Sequence, residues 1–410
     1  MKYIETLNYI DSLCSFLHQA SLERISAVCE KLGNPQNDFK AIHIAGTNGK
    51  GSVSTFISSA LKQAGYKVGT FVSPYITDFC ERIQINGEHI SHDDLCRLSK
   101  KVIDTGVSLS AFEFITAVGF LYFSENKIDI AVLETGLGGR FDATNIIPQP
   151  IVSVITKIGL DHTAVLGDTL SLIAAEKCGI IKGNTVVTTC NQSEEALQVI
   201  KSYSPNVIVP IKNDLSNVKI SVLGNSFSYR NIDYKTSLGG QYQIENALVA
   251  IETLKNCGLK ITDNDIKSGL ETAFIPARLE VVSQNPLVVI DGAHNPDGAN
   301  ALCDVLKACK NITVIIGVMR DKNYKEVLSK TLPFCKNVIC VKPGVPRALP
   351  ADELSSVAKQ YVKNVFVAAG LQDAIYLAKE KSNGSAIFVF GSLYLASEIR
   401  PLLKSKKYKN

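Results

Sequence analysis

Ala45-Gly46-Thr47-Asn48-Gly49-Lys50-Gly51-Ser52 is the stretch that decides the fold of this chain. It follows a short apolar segment, Ala41 to Ile44, and opens a run of helical period: Val53, Phe56, Ile57, Ala60, Leu61 and Ala64. Strand, glycine-rich turn and helix start together make a phosphate cradle. Glycines let the backbone approach the anion, and the N–H groups of the first helical turn point at it. Lys50 adds a point charge for the outer phosphates. The match to the P-loop pattern G-x-x-x-x-G-K-[ST] is incomplete: Gly46 stands three residues before Gly49, and the hydroxyl comes one place late, at Ser52. A plain strand-to-helix turn with glycine as punctuation is the alternative, and the lysine favours nucleotide phosphate.

The chain has 410 residues, room for two or three domains and an ample core. Hydrophobic residues make up 46% and charged ones 20%, as in a soluble globular protein. A net charge of +4 is too small to argue for nucleic acid. The basic tail Lys404, Lys406, Lys407 and Lys409 reads as a solvated end. Glu5 and Asp11 within the first apolar turns argue against a signal peptide, and no segment is long and apolar enough to span a membrane. The eleven cysteines are scattered and without a C-x-x-C pair, which predicts reduced thiols, neither disulfides nor zinc, and a cytoplasmic protein.

Residues 3–18 and 21–32 read as two helices before the cradle. Lys67 to Val72 reads as a strand ending in Ser73-Pro74, and Ile83 to Ile90 as a small hairpin. Ser91 caps a helix to about Thr105, and Phe112 to Phe123 forms an apolar helix. Ile128 to Leu133 is a nearly uninterrupted apolar strand, so central in a parallel sheet, and it runs into Glu134. Another buried strand, Ile151 to Thr156, leads into Asp161-His162. Helix, strand and helix follow over 169–181, 186–189 and 194–202, then a β-rich insert over 206–238 and a long helix from Gln241 to Cys257. Ile275-Pro276-Ala277-Arg278 breaks the helical pattern and marks a boundary, beyond which strands and helices alternate regularly to the end. The expected fold is therefore α/β: a P-loop parallel-sheet domain over residues 1–276 with a small β-rich insert, a linker over 277–285, and a Rossmann-like doubly wound domain over 286–410.

Open α/β sheets place ligands at the carboxyl ends of their strands. Here those ends carry the cradle, Ser73, Glu134 and Asp161-His162. A carboxylate at a strand end beside a triphosphate suits Mg²⁺, which prefers carboxylate, phosphate and water oxygens. Ser73 offers the hydroxyl missing directly after Lys50. His162 is open to two readings, metal ligand or hydrogen-bonded turn residue, since histidine is an unusual Mg²⁺ ligand. Lys177, mid-helix after Glu176, reads on its own as a solvated lysine. Arg278 is either an ordinary linker arginine or a cation reaching the phosphates. Asp291-Gly292-Ala293-His294-Asn295-Pro296 ends a strand as a functional loop, a helix cap, or both. Phe390-Gly391-Ser392 sits similarly, and His43, within a strand, reads as core.

Taken together, His43 through Ser52, Phe71-Val72-Ser73-Pro74, Phe112-Glu113-Phe114, Leu133 through Asn145, Asp161-His162, Glu176-Lys177-Cys178-Gly179, Pro276 through Glu280 and Asp291 through Pro296 resemble the folylpolyglutamate and dihydrofolate synthases of the Mur ligase family. The glycine loop is common to all Mur ligases, whereas Leu137 through Asn145 is specific to the folate enzymes. The resemblance implies ATP-dependent amide formation: a pterin-bound carboxylate becomes an acyl phosphate, and the amine of L-glutamate displaces phosphate, with a cleft between two domains aligning the substrates. It further implies Mg²⁺ ligands at Ser73, Glu134 and His162, and a carbamylated lysine (N6-carboxylysine) at Lys177. Lys50, Lys177 and His294 become the catalytic candidates. ATP contacts are implied at Asn48, Gly49, Lys50, Gly51, Ser52, Asn246, Arg278 and Asp291. The pterin of a folate is implied at Ala111, Phe112, Glu113 and Phe114, and at Phe141, Asp142 and Ala143. His294 and Ser392 are implied near the incoming glutamate, and K⁺ is a further expected cofactor. The segment Leu17 to Arg24 is shorter than the basic stretch with which bifunctional relatives hold dihydropteroate; both activities are expected, with addition of glutamate to reduced folates the first. The expected partners are thus small molecules, with no nucleic acid and no membrane, and the protein is expected to act as a monomer. Two alternatives remain: another Mur-type amide ligase, which would carry a uridine-nucleotide domain ahead of the cradle, and a P-loop nucleotide switch.

Overall fold

The computed structural model describes residues 2–13 and 21–405. The early part of the segment at Leu17 to Arg24, the end of the helix expected over 3–18, and most of the basic tail therefore lie outside the described residues. Helices α1 (Tyr3–Ser12) and α2 (Glu23–Lys31) precede β1 (Lys40–Ala45) and the cradle helix α3 (Lys50–Gln63). Then come β2 (Val68–Phe71), β3 (Ile83–Ile85), β4 (Glu88–His89), α4 (His92–Asp104), α5 (Ala111–Glu125), β5 (Ile130–Glu134) and β6 (Val152–Ile155). They are followed by α6 (Thr163–Leu166), α7 (Leu170–Cys178), β7 (Val186–Thr189), α8 (Glu194–Tyr203) and β8 (Val207–Ile208).

These eight strands form one sheet in the order β4-β3-β2-β5-β1-β6-β7-β8. It is parallel from β2 to β8, with β3 and β4 added antiparallel at one edge. Apart from Lys40, every residue of β5, β1 and β6 is buried. That is why their sequences read as unbroken apolar runs: helices cover both faces of a parallel sheet. Helix α5 is nearly apolar all round and buries Phe114, Phe120 and Phe123 in a core shared with α1, α2 and α4. Its start is fixed by a capping box in which Ser110 and Glu113 satisfy each other's backbone N–H groups.

Residues 215–236 supply β9 (Leu215–Lys219), β10 (Asn225–Tyr229) and β11 (Ile232–Thr236), a three-stranded sheet in the order β11-β10-β9. Helices α9 (Gln241–Asn256) and α10 (Asp263–Thr272) follow. The remainder alternates as β12 (Glu280–Gln284), β13 (Leu287–Ile290), α11 (Pro296–Lys307), β14 (Ile312–Ile316), α12 (Tyr324–Thr331), β15 (Cys335–Cys340), α13 (Ala351–Ala358), β16 (Asn364–Val367), α14 (Leu371–Ser382), β17 (Ile387–Phe390) and α15 (Leu393–Lys404). The second sheet has the order β12-β13-β17-β14-β15-β16 and is parallel except for β12. The stretch expected as a linker therefore contains an antiparallel edge strand. Its Glu280 is buried and ion-paired with Arg400 and Lys404 of α15, which hold its carboxyl below the usual range against the effect of burial.

Two compact units result. One comprises Met1–Ser216, Tyr229–Tyr234 and Glu245–Ala273; the other comprises Asn217–Ser228, Lys235–Ile244 and Phe274–Asn410. The β-rich insert, expected to belong wholly to the first domain, is thus divided between them.

Helix α10 has no counterpart in the sequence reading. Thr262 and Asp265 form its capping box, and Ile266, Gly269 and Leu270 are buried. At Gly269 the helix meets α3 so closely that a Cβ would lie 2.4 Å from Ala60 Cα. Gly269→Ala should therefore destabilise the protein by about 1–3 kcal/mol through overpacking, although the same change in an open helix would stabilise it by roughly 1 kcal/mol. Urea unfolding decides between the two signs; a gain in stability would refute this packing.

Candidate active site

The cradle lies at the carboxyl end of β1, and its neighbours β5 and β6 end beside it. Glu134, the last residue of β5, pairs in register with Ile44, and Thr156, directly after β6, donates its backbone N–H to Ala45. The loop takes its shape from two glycines. Gly49 has φ +92° as the residue preceding α3, and a Cβ there would meet Asn246 Oδ1 at 2.4 Å. A Cβ at Gly46 would lie 1.8 Å from Thr156 Oγ1. Between them, the N–H groups of Thr47 and Asn48 both donate to the Lys157 carbonyl, at 2.9 and 3.2 Å. Asn246 is thereby set against the cradle.

Two amines converge on one oxygen. Lys50 Nζ donates to the Gly46 carbonyl at 3.1 Å, and Lys177 Nζ donates to the same carbonyl at 2.9 Å. Lys50 also lies 4.0 Å from Glu134 Oε1, and Glu134 is 3% exposed. The solvated reading of Lys177 is corrected here: its helix α7 turns the side chain inward and the residue is buried. Burial, with the neighbouring charge of Lys50, lowers its pKa to about 7, against the pull of Asp161 and Asp142. A polar cleft lies here, lined by Gly46, Thr47, Lys50, Thr135 to Gly138, Asp161, His162 and Lys177. His162 is half exposed, in a left-handed backbone conformation at the start of α6.

The loop after β5 is held by a buried relay. Asp142 Oδ2 accepts from the N–H groups of Gly136 and Leu137 at 2.8 and 3.0 Å. Its Oδ1 accepts from Thr144 N at 3.0 Å and Thr144 Oγ1 at 2.5 Å. Burial pushes this carboxyl above the usual range, while the four donors oppose the rise. Since the Thr144 hydroxyl donates to Asp142, it accepts from His43 Nε2 at 2.8 Å, which fixes the proton of that neutral ring on Nε2. His43 is core, as read, and it also braces the site.

Of the residues assigned to a pterin, Phe112 and Phe141 present ring surface. Phe141 is 50% exposed, and Phe112 lies against Gly136, where a Cβ would meet its ring at 2.5 Å. Ala111 is partly exposed and Ala143 is buried. Phe114 is in the core, and Glu113 is engaged by the Ser110 cap and by Arg24 at 3.1 Å. Ser73, after β2, is partly exposed. Sequence reasoning missed Arg82. Its guanidinium lies over the rings of Tyr75 and Phe79 at 5.1 and 5.3 Å, and its buried Nε has no hydrogen-bond partner among the described residues. Burial disfavours its charge, while Tyr75 and Glu134 favour it. No motif spacing marks it; only the return of the chain from Ser73 to β3 brings it near Glu134.

In the second unit, Asp291 ends β13 and is buried, accepting from Leu279 N and Ala293 N at 2.9 and 2.8 Å. Burial raises its carboxyl against the nearby charge of Arg278. His294 Nδ1 donates to the Gly292 carbonyl at 2.8 Å. Asn295 caps α11 with Pro296 in its first turn, so the cap reading of that loop holds. Ser392 is 1% exposed and caps α15 at the end of β17, the strand next to β13.

The relay has a pH signature. Burial, with the charge of Lys182, lowers the pKa of His43 from 6.5 to about 3. In that window the unfolded chain binds a proton that the folded chain refuses, so stability falls as pH falls, by about 1.4 kcal/mol per pH unit. Denaturant unfolding across the window should show this slope, and His43→Asn should remove that share of it. An unchanged slope in the variant would refute the assignment.

A family model described as the Mur ligase middle domain matches residues 44–254, and one described as the Mur ligase glutamate ligase domain matches residues 277–393. The folylpolyglutamate synthase of Lacticaseibacillus casei is 37% identical over 435 aligned residues, which cover 99% of this chain and 100% of that protein. The dihydrofolate synthase/folylpolyglutamate synthase of Bacillus subtilis is 35% identical, covering 98% and 99%. The solved structure of Mycobacterium tuberculosis folylpolyglutamate synthase complexed with ADP and AMPPCP superposes with a TM-score of 0.87 at 29% identity, covering 99% of this chain and 100% of that one. On these matches the chain belongs to the Mur ligase family, in the branch of the folylpolyglutamate and dihydrofolate synthases.

Proposed function

We propose that this protein is an ATP-dependent ligase that joins L-glutamate to folates, and also to dihydropteroate, through an acyl phosphate. The observation that carries the reading is the pair of amines, Lys50 and Lys177, on the Gly46 carbonyl beside the buried carboxylate of Glu134. Relatives named for both activities, and one solved with ADP and AMPPCP, support it.

The start of α3 holds the phosphates: its first-turn N–H groups have no partner within the helix, and Lys50 withdraws charge from the outer phosphates. We assign Asn48 to Ser52 and Asn246 to ATP; for Arg278 and Asp291 that role rests on the resemblance alone. The donor set also fits a divalent cation: Glu134 and the Ser73 hydroxyl are hard oxygen ligands of the kind Mg²⁺ takes, with His162 as the softer third. When bound, Mg²⁺ would neutralise charge on the triphosphate. K⁺ enters the proposal by resemblance alone.

Phe112 and Phe141 offer ring faces to a pterin. Asp142 serves that end by clamping the loop that carries Phe141, and Arg82 offers a cation to the substrate carboxylate. That carboxylate attacks the γ-phosphorus; an O–P bond forms as the bond to ADP breaks. The glutamate amine then attacks the acyl carbon, the C–N bond forms, phosphate leaves, and nitrogen loses a proton. His294 and Ser392 are assigned to the glutamate end.

A lysine half neutral near pH 7 is a nucleophile for CO₂, giving a carbamate and a proton. On that ground Lys177 is proposed as the N6-carboxylated residue.

Purified protein given ATP should release ADP only when a folate (or dihydropteroate) and glutamate are both present. Release without them would favour a nucleotide switch. Lys50→Ala should lower turnover by about 100-fold or more while the fold is kept. Lys177→Ala should lose activity and regain part of it with small carboxylic acids. Failure of rescue would count against the carbamate.

A further inference from the structure

Away from the cradle, Asp78, Cys80 and His92 bring a carboxylate oxygen, a thiol sulfur and an imidazole nitrogen within 4.8 Å of one another. Cys80 lies in the 3-10 turn Phe79–Arg82, which Asp78 caps, and His92 is the first residue of α4. We propose that these three side chains form a binding site for a thiophilic divalent cation of the Zn²⁺ class, with its fourth position open to water. The sequence, with no C-x-x-C pair, gave no hint of one.

The geometry argues for it in three ways. Asp78 Oδ2 and His92 Nε2 are 3.3 Å apart. Tetrahedral Zn²⁺, with bonds near 2.0–2.3 Å, places its ligand atoms roughly 3.3–3.7 Å apart, so a cation fits between them with little rearrangement. Next, the surrounding groups already orient the ligands. Asp78 Oδ1 is held by Cys80 N at 2.8 Å and by the Tyr3 hydroxyl at 3.1 Å, which turns Oδ2 toward His92. The Tyr3 ring stacks on the His92 ring at 3.6 Å and 9°, fixing the imidazole plane. Such outer contacts are what metal sites use to position their ligands.

The chemistry is the third argument. A carboxylate oxygen, a thiol sulfur and an imidazole nitrogen are the three donor types that Zn²⁺ takes. A bound Zn²⁺ would take the sulfur as thiolate, releasing its proton, and would satisfy both anions at once. Cys96, four residues after His92 and so on the same face of α4, adds a second sulfur to this corner. A cation here would join α1-anchored Tyr3, the 3-10 turn and α4 into one clip.

The test uses the full chain, stripped with a chelator and titrated with Co²⁺, then with Zn²⁺ as competitor. One equivalent of Co²⁺ should give d–d absorption together with a thiolate-to-cobalt charge-transfer band in the near ultraviolet, displaced by Zn²⁺. Cys80→Ser, checked for folding by circular dichroism, should lose the charge-transfer band even though Cys96 remains. His92→Asn, at an exposed position, should fold normally and bind Co²⁺ at least about tenfold more weakly. Absence of stoichiometric binding, a full-strength band in Cys80→Ser, or undiminished affinity in His92→Asn would each overturn the proposal, and none of them bears on the ligase reading.

Discussion

The Gly46 carbonyl accepts hydrogen bonds from two amines, and most of the site follows from that one oxygen. Two cations would repel each other at such a separation, and burial removes the water that would otherwise screen them. The protein meets the conflict by lowering the proton affinity of Lys177, and Glu134 lies beside Lys50. The carbonyl can face both amines because no side chain fits at Gly46, where the Thr156 hydroxyl fills the space, and because Lys157 pins the next two amides. The backbone of the cradle is thus held by its own contacts.

The same economy governs the loop after β5. A single carboxylate, Asp142, gathers two amides of the glycine-rich turn and both donors of Thr144, and a neutral histidine from the neighbouring strand completes the chain. Satisfied polar networks in a low-dielectric interior are stiff, since every alternative leaves a buried group unpaired. Phe141 projects from this loop into solvent.

Much of this was legible in the sequence. The cradle announced itself because glycine and lysine at a strand-to-helix junction have few other uses, and β5 and β6 because parallel strands bury both faces. The regular alternation of strands and helices beyond Ile275 to Arg278 was legible as well, helped by the buried strands β14 and β17. What escaped reading did so for physical causes. Helix α10 was hidden because its contact face turns on a glycine, which carries no apolar signal. Strand β12 is a short edge strand with charged and polar residues. Lys177 looked solvated because helical periodicity cannot tell which face meets a buried carbonyl more than a hundred residues earlier, and Arg82 lacked any local pattern at all. The oxygens of Glu113 and Asp142 are engaged by caps and backbone amides, a structural task that spacing alone does not distinguish from ligand binding.

The interleaving of the two units has a practical consequence for anyone dissecting the molecule. The chain passes between them at 216/217, 228/229, 234/235, 244/245 and 273/274. The first four of those passages fall inside β9, β10, β11 and α9, and the fifth just after α10. No single cut yields either half with its hydrogen-bond ladders whole; a fragment ending at residue 276 would strand segments of the other half as unpaired edges, prone to aggregate. Subcloning should therefore keep the polypeptide entire, and labels or fusions belong at loop tips away from those passages.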